Sequence, residues 1–88
     1  MAGDLLDVPL GELLDTLAGD APSPGGGSAA AIVVAMAAGL VSKVARASHG
    51  YWEESGGVIG QAETFRARVA PLAQADADAY EEALAAAG

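Results

Sequence analysis

The sequence contains no cysteine and is poor in aromatic and basic residues. One Phe, one Trp and two Tyr occur among 88 residues, and four Lys and Arg stand against twelve Asp and Glu. The missing cysteines exclude disulfides, thiolate metal sites and thiol nucleophiles. A formal net charge of −8 argues against nucleic-acid binding, because phosphate recognition needs clustered Lys and Arg. With a single His, the chain offers no set of metal ligands, and we expect no bound metal.

Long hydrophobic runs and targeting signals are also missing. The longest uncharged apolar run, residues 29–41, spans 13 residues, fewer than the ~20 that a membrane-spanning helix needs. Residues 1–7 carry two Asp and no basic residue, unlike a signal peptide. We therefore expect a cytoplasmic protein whose partners include neither a membrane nor a nucleic acid.

Small apolar residues, above all Ala, are abundant. Apolar residues make up 52% of the chain, but few of them are large enough to fill a core, so closely packed helices are the expected solution. A chain of this length buries only about 60 to 65% of the surface that its unfolded form exposes. We expect association with a partner subunit.

Three stretches have helical periodicity. Residues 8–18 place Leu at the spacing of one helix face, and residues 28–48 begin with Ser28 as a candidate N-cap. Within this second stretch, small residues recur at near-helical spacing and predict a tightly packed partner helix: Ala31, Ala35, Gly39 and Ser42. Residues 58–87 form the third stretch, where Pro71 predicts a kink or a restart. The sequence thus predicts an all-α fold, a small bundle of up-and-down helices associating with a partner subunit.

The glycine-rich loop, residues 20–27, contains the first candidate binding site. Gly25, Gly26 and Gly27 precede Ser28 and have no Cβ, so a ligand can approach the backbone and the free N–H groups of the helix start. A plain hinge into a buried helix is the alternative. Near the other end of this helix, Lys43 and Arg46 either complement the helix dipole or contact an anionic ligand.

Asp76 is the second candidate. Alternating steps of four and three residues follow one face of a helix. Counted from Val58, they reach an apolar residue at every position of the third stretch except Asp76. If the helix is continuous, this carboxylate points inward, and Tyr80, one turn later, shares its face.

Three motifs together carry a family resemblance: PGGGSAA at 24–30, VAR closing the same helix at 44–46, and DADAY at 76–80. In this order they resemble the cyclodeaminase/cyclohydrolase family, which includes formimidoyltetrahydrofolate cyclodeaminase and methenyltetrahydrofolate cyclohydrolase. The resemblance implies an all-α homodimer that binds a tetrahydrofolate derivative as substrate. It also implies a glycine loop that lies against the ligand and Asp76 as the general acid/base.

Two features depart from the family pattern. Members commonly carry Lys or Arg after the glycine that ends the second helix, where this chain has residues 51–54, YWEE. Family chains also continue with further helices, so residues 1–88 are expected to form one incomplete helical domain, either a piece of a longer protein or a short relative. The alternative function is a non-catalytic helical oligomerisation module that keeps the packing helices without the chemistry.

Overall fold

The computed structural model describes residues 4–88; residues 1–3 lie outside the described part of the chain. A 3-10 helix, Leu5–Asp7, is followed by four α-helices: α1, Leu10–Ala18; α2, Gly26–Ala47; α3, Ser55–Val69; and α4, Leu72–Ala87. Residues 4–88 contain no β-strand. The predicted all-α class is confirmed.

Helix α2 is the central helix, and both α3 and α4 pack against it. α3 packs antiparallel along its C-terminal half, where Ser42 is bonded to Glu63, and α4 continues past its N-terminus, where Ser28 is bonded to Ala73. The resulting body is elongated, with extents of 56 × 24 × 19 Å. The N-terminus of α2 therefore lies against the middle of the α3–α4 pair rather than at a free end.

Helices α1, α2 and α3 do not begin at the predicted residues. α1 begins at Leu10 instead of residue 8, and α2 begins at Gly26 instead of Ser28, with Gly25 in the extended N-cap conformation, so two glycines lie inside its first turn. The third stretch begins at Ser55 instead of residue 58 and restarts at Leu72, which confirms the restart predicted at Pro71. The break follows from Pro71, whose ring nitrogen cannot donate the helical hydrogen bond.

A small core joins the N-terminal segment to α4. Leu5 and Leu13 are buried against Ala73 and Ala77. The backbone N–H of Leu5 also donates to Gln74 Oε1 at 2.7 Å, which ties the 3-10 helix to α4. This core packs directly beside the N-terminal end of α2.

Helix α2 turns its small residues inward and its large ones outward. Its buried residues are Ser28, Ala38, Ser42 and Ala45. More than half of each of its largest apolar side chains on the opposite faces is exposed: Val33, Met36, Leu40 and Val44. The tight helix partners that the small-residue stripe predicts are α3 and α4 of the same chain.

By length and composition alone, α2 also meets the criterion for a membrane-spanning helix, which the 13-residue apolar run did not suggest. Core helices of soluble proteins meet the same criterion. This test therefore does not distinguish a lipid-facing helix from one that packs against protein.

Candidate functional site

The glycine-rich segment and α4 form a cleft at the N-terminus of α2. Its volume is about 320 Å³, and its walls are Pro22, residues 25–27, Asp76 and Tyr80. The two parts of the site are about 50 residues apart in sequence and meet because α4 packs across the start of α2. The structure thus brings together Gly25, Gly26, Gly27, Asp76 and Tyr80, five of the eight predicted site residues.

The closest approach within this cleft is between Gly27 and the carboxyl group of Asp76. A Cβ atom added at Gly27 would overlap the carboxyl carbon and both carboxyl oxygens of Asp76. At Gly26, the added atom would meet nothing within 4 Å. Gly27 is therefore the glycine whose missing side chain leaves space for the Asp76 carboxylate.

The first turn of α2 supplies a positive electrostatic environment. The first backbone bond of this helix runs from Ala29 N–H to Gly25 O, so the N–H groups of residues 26–28 are outside the helical ladder. These groups carry the partial positive charge of the helix dipole. The Asp76 carboxylate therefore lies close to partial charges of the opposite sign.

An apolar groove adjoins the polar cleft. It has a volume of about 520 Å³ and shares Gly27 and Asp76 with the cleft; its other walls are Ala30, Ala31, Val34, Val69, Leu72 and Ala75. Asp76 therefore stands at the border between a polar cleft and an apolar groove. Such a border suits a ligand that has a flat apolar part next to a reactive polar centre.

The prediction that Asp76 points into the core is wrong. Its side chain is exposed, whereas Ala73 and Ala77 are the buried residues of α4. On an α-helix, Asp76 lies about 60° from Ala73 and about 100° from Ala77, at the edge of the buried face. The apolar seam of the sequence passes through Leu72 and Asp76, whereas the buried positions of α4 are one residue further along, at Ala73 and Ala77.

Tyr80 lies one turn after Asp76, as its spacing predicts, and lines the same cleft with 44% of its surface exposed. Its phenol is therefore available to a ligand in the cleft.

Ser28 is neither the N-cap nor a residue that a ligand can reach. It is fully buried, and its hydroxyl donates to the carbonyl oxygen of Ala73 at 2.6 Å. The prediction that Ser28 contacts substrate is corrected accordingly, because a contact with α4 occupies its hydroxyl proton.

Lys43 and Arg46 lie far from the cleft within one chain. At the helical rise of 1.5 Å per residue, they are about 24 and about 28 Å along α2 from Gly27. Arg46 instead forms an ion pair with Glu63, with Nη2 and Oε1 3.5 Å apart. The structure does not join these two predicted binding residues to the site around Asp76.

Glu63 is the centre of a separate polar cluster between α2 and α3. Arg66 donates to both of its oxygens, at 2.9 and 2.8 Å, and the buried Ser42 hydroxyl donates at 3.0 Å. These hydrogen bonds, that from Arg66 first, lower the pKa of Glu63 to about 2. Both carboxylate oxygens of Glu63 have a donor, and two of the donors, Ser42 and Arg46, lie on α2. The cluster therefore joins α2 to α3.

Sequence reasoning missed Pro22 and the walls of the apolar groove. Pro22 lies three residues before Gly25, inside the predicted loop at residues 20–27, and this position is a signal that could have included it. The groove has no comparable signal, because its Ala and Val residues resemble those of any packed helix. Among residues 4–88, no three His, Cys, Asp or Glu side chains are grouped as metal ligands.

Comparison with known proteins gives one match. The family model described as formiminotransferase-cyclodeaminase matches residues 9–88, which include the glycine segment, Asp76 and Tyr80. Neither a curated protein nor a solved structure matches the chain. The match confirms the family resemblance of the three motifs: the chain belongs to the formiminotransferase-cyclodeaminase family.

Proposed function

We propose that this chain forms the folate site of a one-carbon enzyme of the cyclodeaminase or methenyltetrahydrofolate cyclohydrolase type, with Asp76 as the proton-transfer residue. The observation that carries the proposal is the position of the Asp76 carboxylate over Gly27, between the polar cleft and the apolar groove. Membership of the formiminotransferase-cyclodeaminase family supports the substrate class.

Both reactions need proton transfer at a nitrogen next to a tetrahedral carbon. In the cyclodeaminase reaction, a second folate nitrogen adds to the carbon of the protonated formimino group and loses its proton; the former imino nitrogen takes up a proton and leaves as ammonia, which closes the methenyl bridge. In the cyclohydrolase reaction, water adds to the methenyl carbon and loses a proton; one carbon–nitrogen bond then breaks, the released nitrogen takes up a proton, and the hydroxyl proton is lost as the formyl group forms. Asp76 can serve both, because its carboxylate accepts a proton in the addition step and the carboxylic acid so formed returns it to the departing nitrogen.

Charge and shape support a folate in this position. The methenyl bridge and a protonated formimino group are cationic, and the Asp76 carboxylate complements them. The apolar groove next to Asp76 suits the flat ring systems of a folate, and the Tyr80 phenol at the cleft can make a polar contact.

The test compares Asp76→Asn with Asp78→Asn. Asp78 lies two residues further along α4, is exposed, and accepts a hydrogen bond from Gln74 at 2.9 Å. Turnover of formimino- and methenyltetrahydrofolate is followed by the methenyl absorbance, and the substrate that reacts assigns the reaction type. We expect Asp76→Asn to lower kcat by about 100-fold or more while ligand binding persists, and Asp78→Asn to match the wild type.

Two results would overturn this assignment. One is an Asp76→Asn variant that turns over at the wild-type rate. The other is a wild-type protein that binds neither folate at millimolar concentration, which would favour the non-catalytic oligomerisation module.

For the oligomeric state, we propose that a second copy of the chain packs on the outer face of α2. Large apolar side chains recur there in steps of three and four residues, at Val33, Met36, Leu40 and Val44, and Leu40 is 62% exposed. The radius of gyration is 16.1 Å, against about 12 Å for a compact chain of this length. One chain therefore leaves uncovered an apolar helix face that a second copy can cover.

Sedimentation velocity tests this association. We expect a wild-type dimer that Leu40→Asp converts to a monomer. Leu14→Asp is the control, because Leu14 is similarly exposed at 58% but lies on α1. A monomeric wild-type protein, or one that floats with lipid vesicles instead of self-associating, would contradict the proposal.

A further inference from the structure

Two serines flank the glycine segment, and both donate to carbonyl groups of α4. Ser28 Oγ lies 2.6 Å from the oxygen of Ala73, and Ser23 Oγ lies 3.4 Å from the oxygen of Ala77. These two carbonyls are one helical turn apart, and Asp76 lies between them in the chain. The two contacts therefore bracket the residue that carries the proposed chemistry.

The Ser28 contact is the stronger of the two. Ser28 is fully buried, and a buried hydroxyl without a partner is costly, so its bond to Ala73 favours one position of α4 against the first turn of α2. If α4 slid or rotated by one residue, the hydroxyl would lose this acceptor. The same movement would take the Asp76 carboxylate away from the space left by Gly27.

We infer that Ser28 is a positioning residue, with Ser23 as a weaker second contact. Its hydroxyl holds α4 in the register that places the Asp76 carboxylate over Gly27 and in the cleft. Ser28 itself touches no ligand, and its effect on turnover passes through Asp76. The consequence for turnover rests on the proposed function, whereas the placement of Asp76 does not.

The kinetic test compares Ser28→Ala with Ser42→Ala. Both serines are buried on the same face of α2 and both donate a hydrogen bond, but Ser42 lies about 21 Å further along the helix. Because a displacement of about 1 Å in a catalytic group can cost about 100-fold in rate, we expect Ser28→Ala to lower kcat by about 10- to 100-fold. KM should change little, and Ser42→Ala should keep the wild-type kcat. Equal kcat values for the two variants would overturn the inference.

A spectroscopic test works without turnover. In ¹H–¹⁵N spectra of the full chain, Asp76→Asn should shift the amide signals of Gly26 and Gly27, because the carboxylate lies over Gly27 and shares the cleft with Gly26. The same substitution in a Ser28→Ala background should shift them much less, whereas in a Ser42→Ala background the response should stay at its wild-type size. An undiminished response in the Ser28→Ala background would refute the positioning role.

The two tests separate the two hypotheses. If the wild type turns over neither folate, the proposed function fails and the amide response still decides the role of Ser28. If Ser28→Ala does not fold, Ser28→Cys takes its place in both tests, since it keeps a similar volume and replaces the hydroxyl with a weak donor.

Discussion

A methyl group at Gly27 should displace the Asp76 carboxylate without unfolding the chain. The Cβ of a Gly27→Ala variant would lie 2.5 Å from the carboxyl carbon, whereas ordinary contact begins at 3.4 Å. The backbone of α2 is held by α3 and α4, so the short Asp76 side chain has to rotate or withdraw by roughly 0.9 Å. A displacement of this size corresponds to a loss of about 100-fold in turnover if Asp76 transfers the proton.

The fold should tolerate the same change. Gly27 lies within helix α2, and replacing a helical Gly with Ala gains roughly 0.5 to 1 kcal/mol of stability. This gain offsets part of the cost of moving the carboxylate. We therefore expect Gly27→Ala to lower kcat strongly while its thermal midpoint stays within a few degrees of the wild type.

Gly26→Ala is the matched control. It adds the same methyl group one residue earlier, where the new atom meets nothing within 4 Å. Steady-state kinetics on the methenyl or formimino substrate and thermal unfolding by circular dichroism are measured for both variants. If Gly27→Ala keeps the wild-type kcat, or if both variants lose it equally, the carboxylate position does not control turnover and the reasoning fails.

Two further predictions concern stability. Ala45 is fully buried, whereas Ala47 is exposed. Ala45→Leu should therefore destabilise the fold by about 1 to 3 kcal/mol, and Ala47→Leu should leave its stability nearly unchanged. Equal melting temperatures of the two variants would contradict the assignment of the inner face of α2. Hydrogen bonds from Arg66, and then from Ser42, lower the pKa of Glu63 from 4.5 to about 2. The contribution of the Glu63 carboxylate to folding stability should therefore be complete above the unfolded pKa and be lost as pH falls from about 4.5 toward 2. Urea midpoints across this range should fall more steeply for the wild type than for Glu63→Gln, and parallel pH profiles would contradict the role of the cluster.

The parts of the site that could be predicted are those carried by residue type at a fixed position. Gly27 was identified because a run of glycines before a helix leaves the backbone accessible, and Asp76 because a carboxylate interrupts an apolar pattern. Both residues line the cleft. The inference that Asp76 is buried was wrong because the buried positions of α4, Ala73 and Ala77, lie one residue beyond those that the apolar pattern selects, which leaves Asp76 at the edge of the buried face.

The parts that could not be predicted depend on distances between helices. Ser28 has the sequence position of an N-cap, and the sequence does not show that α4 brings the Ala73 carbonyl within reach of its hydroxyl. Lys43 and Arg46 have the charge that an anionic ligand requires, but the length of α2 keeps them far from the cleft within one chain. In each case the residue type indicates which contacts the side chain can make, and the packing of the helices determines which of these contacts it makes.

In helix α2, residue size rather than hydrophobic periodicity predicts which face packs against other helices. Both the small-residue stripe and the large-residue stripe are apolar and repeat at helical spacing, so hydrophobicity gives no reason to bury one instead of the other. Helix packing distinguishes them, because Ala and Ser allow the axes of α3 and α4 to approach more closely than Leu and Val would. That close approach brings α4 within hydrogen-bond distance of Ser28 and places Asp76 over Gly27. The small residues of α2 therefore build the cleft as well as the fold, and the large residues on the outer face remain exposed.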